Sequence, residues 1–262
     1  MAETSLMFSL DVTILPVLSD NYCYLVRETG TGLIAAIDPS EARPVLDYVE
    51  KRKLKLHRIY NTHHHWDHVG GNLEIQDQTK CEIYGSEKDQ DRIPGLNHTL
   101  SDGQRLSFGS EPLEILSVPG HTHGHILLWF PESKKLFTGD TLFLMGCGRL
   151  FEGDPSEMMK SLEKIKRLPK DTLIYCGHEY TEKNAQFALK VDPDNEDLQK
   201  RFEKIKILRS DKKPTVPATL EIELQTNPFF RPEAESIRKT LHLQGASNLE
   251  VFTKLRELRN SF

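Results

Sequence analysis

Three apolar runs in this chain end alike. Val118-Pro119-Gly120-His121, Phe137-Thr138-Gly139-Asp140 and Tyr175-Cys176-Gly177-His178 each close a strand-like stretch, turn on a glycine and present a histidine or an aspartate. Glycine lets the backbone turn sharply there. The side chains are thereby set at strand ends, where open α/β sheets place their chemistry. A fourth run, residues 57–61, leads straight into Thr62-His63-His64-His65-Trp66-Asp67-His68, with the spacing HxHxDH. In such a loop His63 and His65 can point together toward one metal ion, while Asp67 and His68 turn toward a second. Imidazole suits zinc, iron and other borderline metals, and a carboxylate adds charge compensation. Four candidate ligands at this spacing arise by chance in fewer than roughly one chain in a thousand.

Neighbouring histidines need sorting. In His121-Thr122-His123-Gly124-His125 the ligand expected is His121, because it directly follows strand and turn. His123 and His125 are expected to support it or the fold, and His64 to support the cluster. His57, His98 and His242 have no partner visible in sequence and read as structural.

The rest of the chain says what carries these ends. Alternating or β-branched stretches at 10–15, 22–27 and 33–37 predict strands. Ser40 is a candidate cap for a helix running to about Arg52, with Pro44 near its first turn. Strand, helix and strand in that order make a βαβ unit with the histidine cluster at its C-terminal end. Further strands are expected at 81–84, 113–118, 126–130, 136–138 and 173–176, and a helix at 155–168. After Tyr180 the character changes: 182–191, 195–208, 232–242 and 248–259 read as charged amphipathic helices joined by proline-containing connectors. Two domains are expected, 1–180 mixed α/β and 181–262 helical.

Composition narrows the partners. The chain has 262 residues and a formal net charge of -5, which argues against broad binding to nucleic acid or anionic membrane. Four scattered cysteines without a CxxC pair read as reduced thiols. The first residues carry Glu3 and lack a basic segment followed by an apolar run, so no signal peptide is expected. No apolar stretch approaches the ~20 residues of a membrane span. A cytoplasmic monomer is the expectation.

These motifs together resemble the glyoxalase II (hydroxyacylglutathione hydrolase) family of the metallo-β-lactamase superfamily. The likeness rests on the HxHxDH cluster, Phe137-Thr138-Gly139-Asp140-Thr141-Leu142-Phe143, Gly146-Cys147-Gly148-Arg149 and Cys176-Gly177-His178-Glu179-Tyr180. It extends from Asp20-Asn21-Tyr22 to Asn227-Pro228-Phe229. The resemblance implies an αββα sandwich followed by a helical domain that completes the substrate site. It implies two divalent metal ions, zinc first, with iron or manganese as alternatives. His63, His65 and His121 would hold one, Asp67, His68 and His178 the other, and Asp140 would bridge them. Asp38 would orient a ligand histidine. Arg149, Tyr180, Arg256 and Arg259 would contact glutathione.

The implied reaction is hydrolysis of S-D-lactoylglutathione to D-lactate and glutathione by a hydroxide between the metals, with Asp67 and Asp140 supporting it as ligands. This is a step of methylglyoxal detoxification. The chain departs from some members in having Arg149 for Lys, Phe151 for Tyr and Arg259 for Lys. Phe151 brings no hydroxyl, and arginine's planar fork is a different device from an ammonium. The spacing of three in Arg256 and Arg259 places both on one helix face. A lactonase of the same superfamily would share the ligands without needing the helical region. A nucleic-acid-processing member is the alternative from another class, and the net charge weighs against it.

Overall fold

The computed structural model describes residues 10–262. They divide into two compact units: the described residues up to Leu116 with Leu128–Lys135, and Ser117–Leu127 with Leu136–Phe262.

The first unit opens with β1 (Leu10–Val17), β2 (Asn21–Glu28) and β3 (Ile34–Ile37), then α1 (Ala42–Lys51) and β4 (Arg58–Tyr60). α2 (Trp66–Val69), α3 (Asn72–Thr79), β5 (Glu82–Ser86), β6 (His98–Leu100), β7 (Arg105–Phe108), β8 (Glu111–Ser117) and β9 (Ile126–Phe130) follow. β1 to β6 form one six-stranded sheet in sequence order. β1–β2 and β2–β3 are antiparallel, and β3, β4, β5 and β6 run parallel. α1 is thus the crossover of the expected βαβ unit. It buries Ala42, Val45 and Val49 in a core shared with Cys23, Leu25, Ile34, Ala36, Ile59 and Ile83. That core fixes the end of β4, where the histidine cluster begins.

Ser40 does not cap α1. The N-cap is Glu41, without a side-chain capping bond. Ser40 Oγ donates instead to the Asp67 carbonyl, so the hydroxyl serves the cluster rather than the helix. Part of the expected loop is also helical, since Trp66 begins α2.

The second unit contains β10 (Lys135–Gly139), the short hairpin β11 (Leu142–Phe143) and β12 (Gly146–Cys147), α4 (Pro155–Lys166) and β13 (Leu173–Cys176). It continues through α5 (Thr181–Val191), α6 (Glu196–Ser210), β14 (Ala218–Thr219), α7 (Leu220–Thr226), α8 (Glu235–Thr240) and α9 (Asn248–Asn260). β13 and β14 pair antiparallel here, as β7 and β8 do in the first unit. α4 and α9 each begin with a capping box, Asp154 with Glu157 and Ser247 with Glu250. These signatures set both starts where the amphipathic pattern put them. The change in character after Tyr180 lies inside this unit: Met145 of the β11–β12 hairpin shares a core with Ala185, Ala188, Leu198 and Ile205 of α5 and α6. Among the described residues no helix is long and apolar enough to cross a membrane.

Candidate metal centre

In the first unit the cluster is organised from behind by Asp38. This residue directly follows β3 with a φ of 51°, a left-handed conformation that aspartate tolerates better than most side chains. Its carboxylate accepts from Thr62 N at 2.8 Å and from Thr62 Oγ1 at 2.7 Å. It lies 3.1 Å from His68 Nδ1. A carboxylate in this role accepts only, so His68 holds its proton on Nδ1 and directs Nε2 forward. The Thr62 hydroxyl has given its proton to Asp38 and can accept from His63 Nδ1, 3.1 Å away. His63 therefore also directs Nε2 forward. That nitrogen lies 3.1 Å from His65 Nδ1, and His68 Nε2 lies 3.7 Å from Asp67 Oδ2.

Asp67 is steered in turn. Asn21 Nδ2 donates to its carbonyl at 3.0 Å and to Oδ2 at 3.1 Å. Asn61 Nδ2 donates to the His68 carbonyl at 3.0 Å and fixes α2 against the end of β4. His64 faces Asp89 at 3.2 Å and Arg92 at 3.2 Å, the supporting place expected for it.

In the second unit the strand-end grammar is realised with one variation. Gly120 and Gly139 take φ of 150° and 45°, whereas Gly177 turns without a positive φ. His121 and His178 present Nε2 to Asp140 Oδ2 at 3.6 and 3.3 Å. All three side chains are buried. His121 Nδ1 is 2.8 Å from the Arg149 carbonyl, which fixes its proton on Nδ1. Asp140 N donates to His125 Nε2 at 3.0 Å, so His125 positions the aspartate, as its supporting role anticipated. His123 is exposed, with its backbone N–H on Glu152.

The donor set suits divalent metal ions. His63, His68 and His121 each have one nitrogen tied to an oxygen and the other turned forward, the arrangement that tunes metal-ligating imidazoles. The ligand atoms of His63 and His65, of His63 and His68, and of Asp67 and His68 lie pairwise within 4.8 Å. Asp67 and Asp140 supply the carboxylates that such cations favour.

The family model for the metallo-beta-lactamase superfamily matches residues 19–178, and that for the hydroxyacylglutathione hydrolase C-terminus matches 179–262. A hydroxyacylglutathione hydrolase of Methylococcus capsulatus is 47% identical over 97% of this chain and 99% of its own. The chain belongs to the hydroxyacylglutathione hydrolase family. Among solved structures, ETHE1 from Myxococcus xanthus matches with a TM-score of 0.68 and 24% identity, over 94% of this chain and 90% of that one. TTHA1623, solved in a di-iron-bound form, matches at 0.60 with 26% identity, over 84% and 99%. The fold is therefore the metallo-β-lactamase-like one expected, followed by the helical region of this family.

Three arginines of the second unit act on one another electrostatically. Arg149 is exposed and Arg259 half-buried. Burial, together with the charges of Arg256 and Arg149, lowers the pKa of Arg259. Like charges nearby thus disfavour the charged form of Arg259. Arg256 is 4% exposed, and its Nη1 donates to the carbonyls of Cys147 and Gly148. Arg259 donates to Asn184 Oδ1 at 3.1 and 3.0 Å. Tyr180 stacks on His178, with centroids 4.7 Å apart and planes 7° from parallel. Phe151 is 63% exposed and sets its edge against the His121 ring at 5.3 Å. Phe151 thus sets an apolar wall beside His121.

In the sequence both Asn21 and Thr62 stand inside motifs without a role of their own. Thr62 adjoins the cluster, which was its one signal, whereas Asn21 lies 46 residues before Asp67 and had none.

Proposed function

We propose that this family member hydrolyses the thioester of S-(2-hydroxyacyl)glutathione, S-D-lactoylglutathione foremost, as a step of methylglyoxal detoxification. The 47% identity to a hydroxyacylglutathione hydrolase over nearly the whole chain carries the reading. Two divalent cations are assigned, zinc first, with iron or manganese as alternatives. His63, His65 and His121 would hold one and Asp67, His68 and His178 the other, with Asp140 shared. Cations held there supply Lewis acidity and lower the pKa of water.

The chain's own residues do the rest. Asp38, Thr62 and the Arg149 carbonyl hold protons on Nδ1 of His68, His63 and His121, keeping each Nε2 free to ligate. Arg149, Tyr180 and Arg259, with Arg256 behind them, receive the anionic tripeptide. The departing thiolate needs little help from an acid, because a thiol pKa of about 8.5 makes it a good leaving group. No protein thiol is suited to attack: burial raises the Cys147 thiol pKa, and it takes that of Cys176 to about 12. Residues 1–180 are assigned the chemistry and 181–262 the substrate. The enzyme is taken as a cytoplasmic monomer acting on a small molecule, without nucleic acid or membrane.

Steady-state hydrolysis of S-D-lactoylglutathione beside a simple lactone, on protein assayed for metal, tests this. Fast thioester turnover that is lost on chelation and restored by zinc is the expected result. Metal-replete protein that ignores the thioester overturns the substrate.

A further inference from the structure

The hairpin between Asp140 and Arg149 is held by side chains that come much later in the chain. Asn184 Nδ2 donates to the Leu144 carbonyl at 3.0 Å. Asn227 Nδ2 donates to the carbonyls of Phe143 and Gly146 at 3.3 and 3.1 Å. Glu223 Oε2 accepts from Met145 N at 2.8 Å, and Glu223 is itself paired with buried Arg201. Arg256 Nη1 completes the set on the carbonyls of Cys147 and Gly148, with its guanidinium 5.2 Å from the Phe229 ring centroid.

What these bonds hold is tight. A Cβ on Gly148 would lie 1.9 Å from the Asp140 carbonyl oxygen and 3.0 Å from His121 Nδ1. The next carbonyl, of Arg149, is the one that faces His121 Nδ1. Gly148 N also closes back on the Thr141 carbonyl at 3.2 Å.

We propose that Arg256 is a positioning residue for the ligand pair His121 and Asp140, acting through the backbone of residues 147–149, beyond any part it takes in receiving the substrate. It fixes two successive carbonyls, which sets the third where it orients the His121 ring. Its burial and its committed Nη1 separate it from Arg149 and Arg259, which keep exposed surface for an anion. The proposal rests on the ligand assignment of His121 and Asp140 made above.

Arg256→Lys keeps the charge, but its nitrogen ends a differently shaped, shorter side chain and does not sit where Nη1 meets both carbonyls. Full-length Arg256→Lys, Arg256→Gln and Arg259→Ala should be loaded with zinc or cobalt(II). The readouts are chelator competition, the cobalt visible spectrum, kcat and KM, and melting of the metal-free protein. The expected result for both Arg256 variants is metal affinity weaker by about 10–100-fold, a shifted cobalt spectrum and a fall in kcat larger than the rise in KM. Arg259→Ala should raise KM and leave the spectrum unchanged.

A raised KM with unaltered spectrum and metal affinity in Arg256→Lys overturns the proposal and makes the residue an anchor. Failure of both Arg256 variants to fold also overturns it, because the residue then serves the fold and not the ligands. If the wild-type protein ignores the thioester while the Arg256 spectra shift, the substrate assignment fails and this proposal stands.

Discussion

Replacing Asp38 by asparagine tests how far the metal centre depends on a residue that touches no metal. Asparagine tolerates the left-handed φ of 51° at this position much as aspartate does, so the backbone should not object. One amide oxygen can still accept from Thr62 N, which now lies 2.8 Å from the carboxylate. The amide nitrogen, however, replaces the oxygen that faces both Thr62 Oγ1 and His68 Nδ1. It points donors at donors. The system relaxes by reversing the relay: the amide donates to Thr62 Oγ1, and the hydroxyl proton turns to His63 Nδ1. His63 and His68 then carry their protons on Nε2, the nitrogen each should offer to a cation. Loss of such an orienting partner costs about 10–100-fold in metal affinity, or about 1.4–2.8 kcal/mol. The assay is chelator competition with zinc, with melting of the metal-free protein as the control for folding. Zinc affinity within about twofold of the parent at equal metal-free stability would refute the relay.

Two further outcomes follow from the same description. Burial raises the pKa of Glu28, but bonds from Thr31 Oγ1, Ser110 Oγ, Thr31 N and Gly30 N outweigh it and bring the carboxyl from 4.5 to about 2. Because the folded value lies below the unfolded one, its stabilisation is full above about pH 4.5 and fades as pH falls through about 2. At about 1.4 kcal/mol per pH unit this is ~3 kcal/mol, and about 2 after screening by solvent. Glu28→Gln should lose that much in urea unfolding at pH 7 and converge on the parent toward pH 2; a constant gap argues against it. Iodoacetamide should leave native activity intact and label Cys23, Cys81, Cys147 and Cys176 only after denaturation, since all four are buried; rapid inactivation would contradict the absence of a thiol nucleophile.

The candidate histidines and aspartates were legible because strand ends announce themselves: an apolar run, then glycine or a cluster of histidines. Elements set by distant partners were not. Ser40 before a helical pattern reads as a cap, yet its hydroxyl goes to a carbonyl 27 residues on. α7 is seven residues long, too short for a periodicity to show, and it carries Glu223, whose partner Arg201 is 22 residues away. The spacing of Arg256 and Arg259 gave a shared face correctly. Spacing cannot say that one of them lies buried beneath Cys147 and Gly148 while the other reaches the surface, because burial depends on what the fold lays over that face.

The hold on the β11–β12 hairpin has a consequence for timing. Arg256 lies 109 residues beyond Cys147. At about 5–20 residues per second of synthesis, the ribosome takes roughly 5–20 s to make the residue that clamps a loop already translated. Through that interval the nascent chain has His121 and Asp140 in hand but not their final setting. On the positioning role proposed for Arg256, a finished geometry for metal capture waits for the last helix.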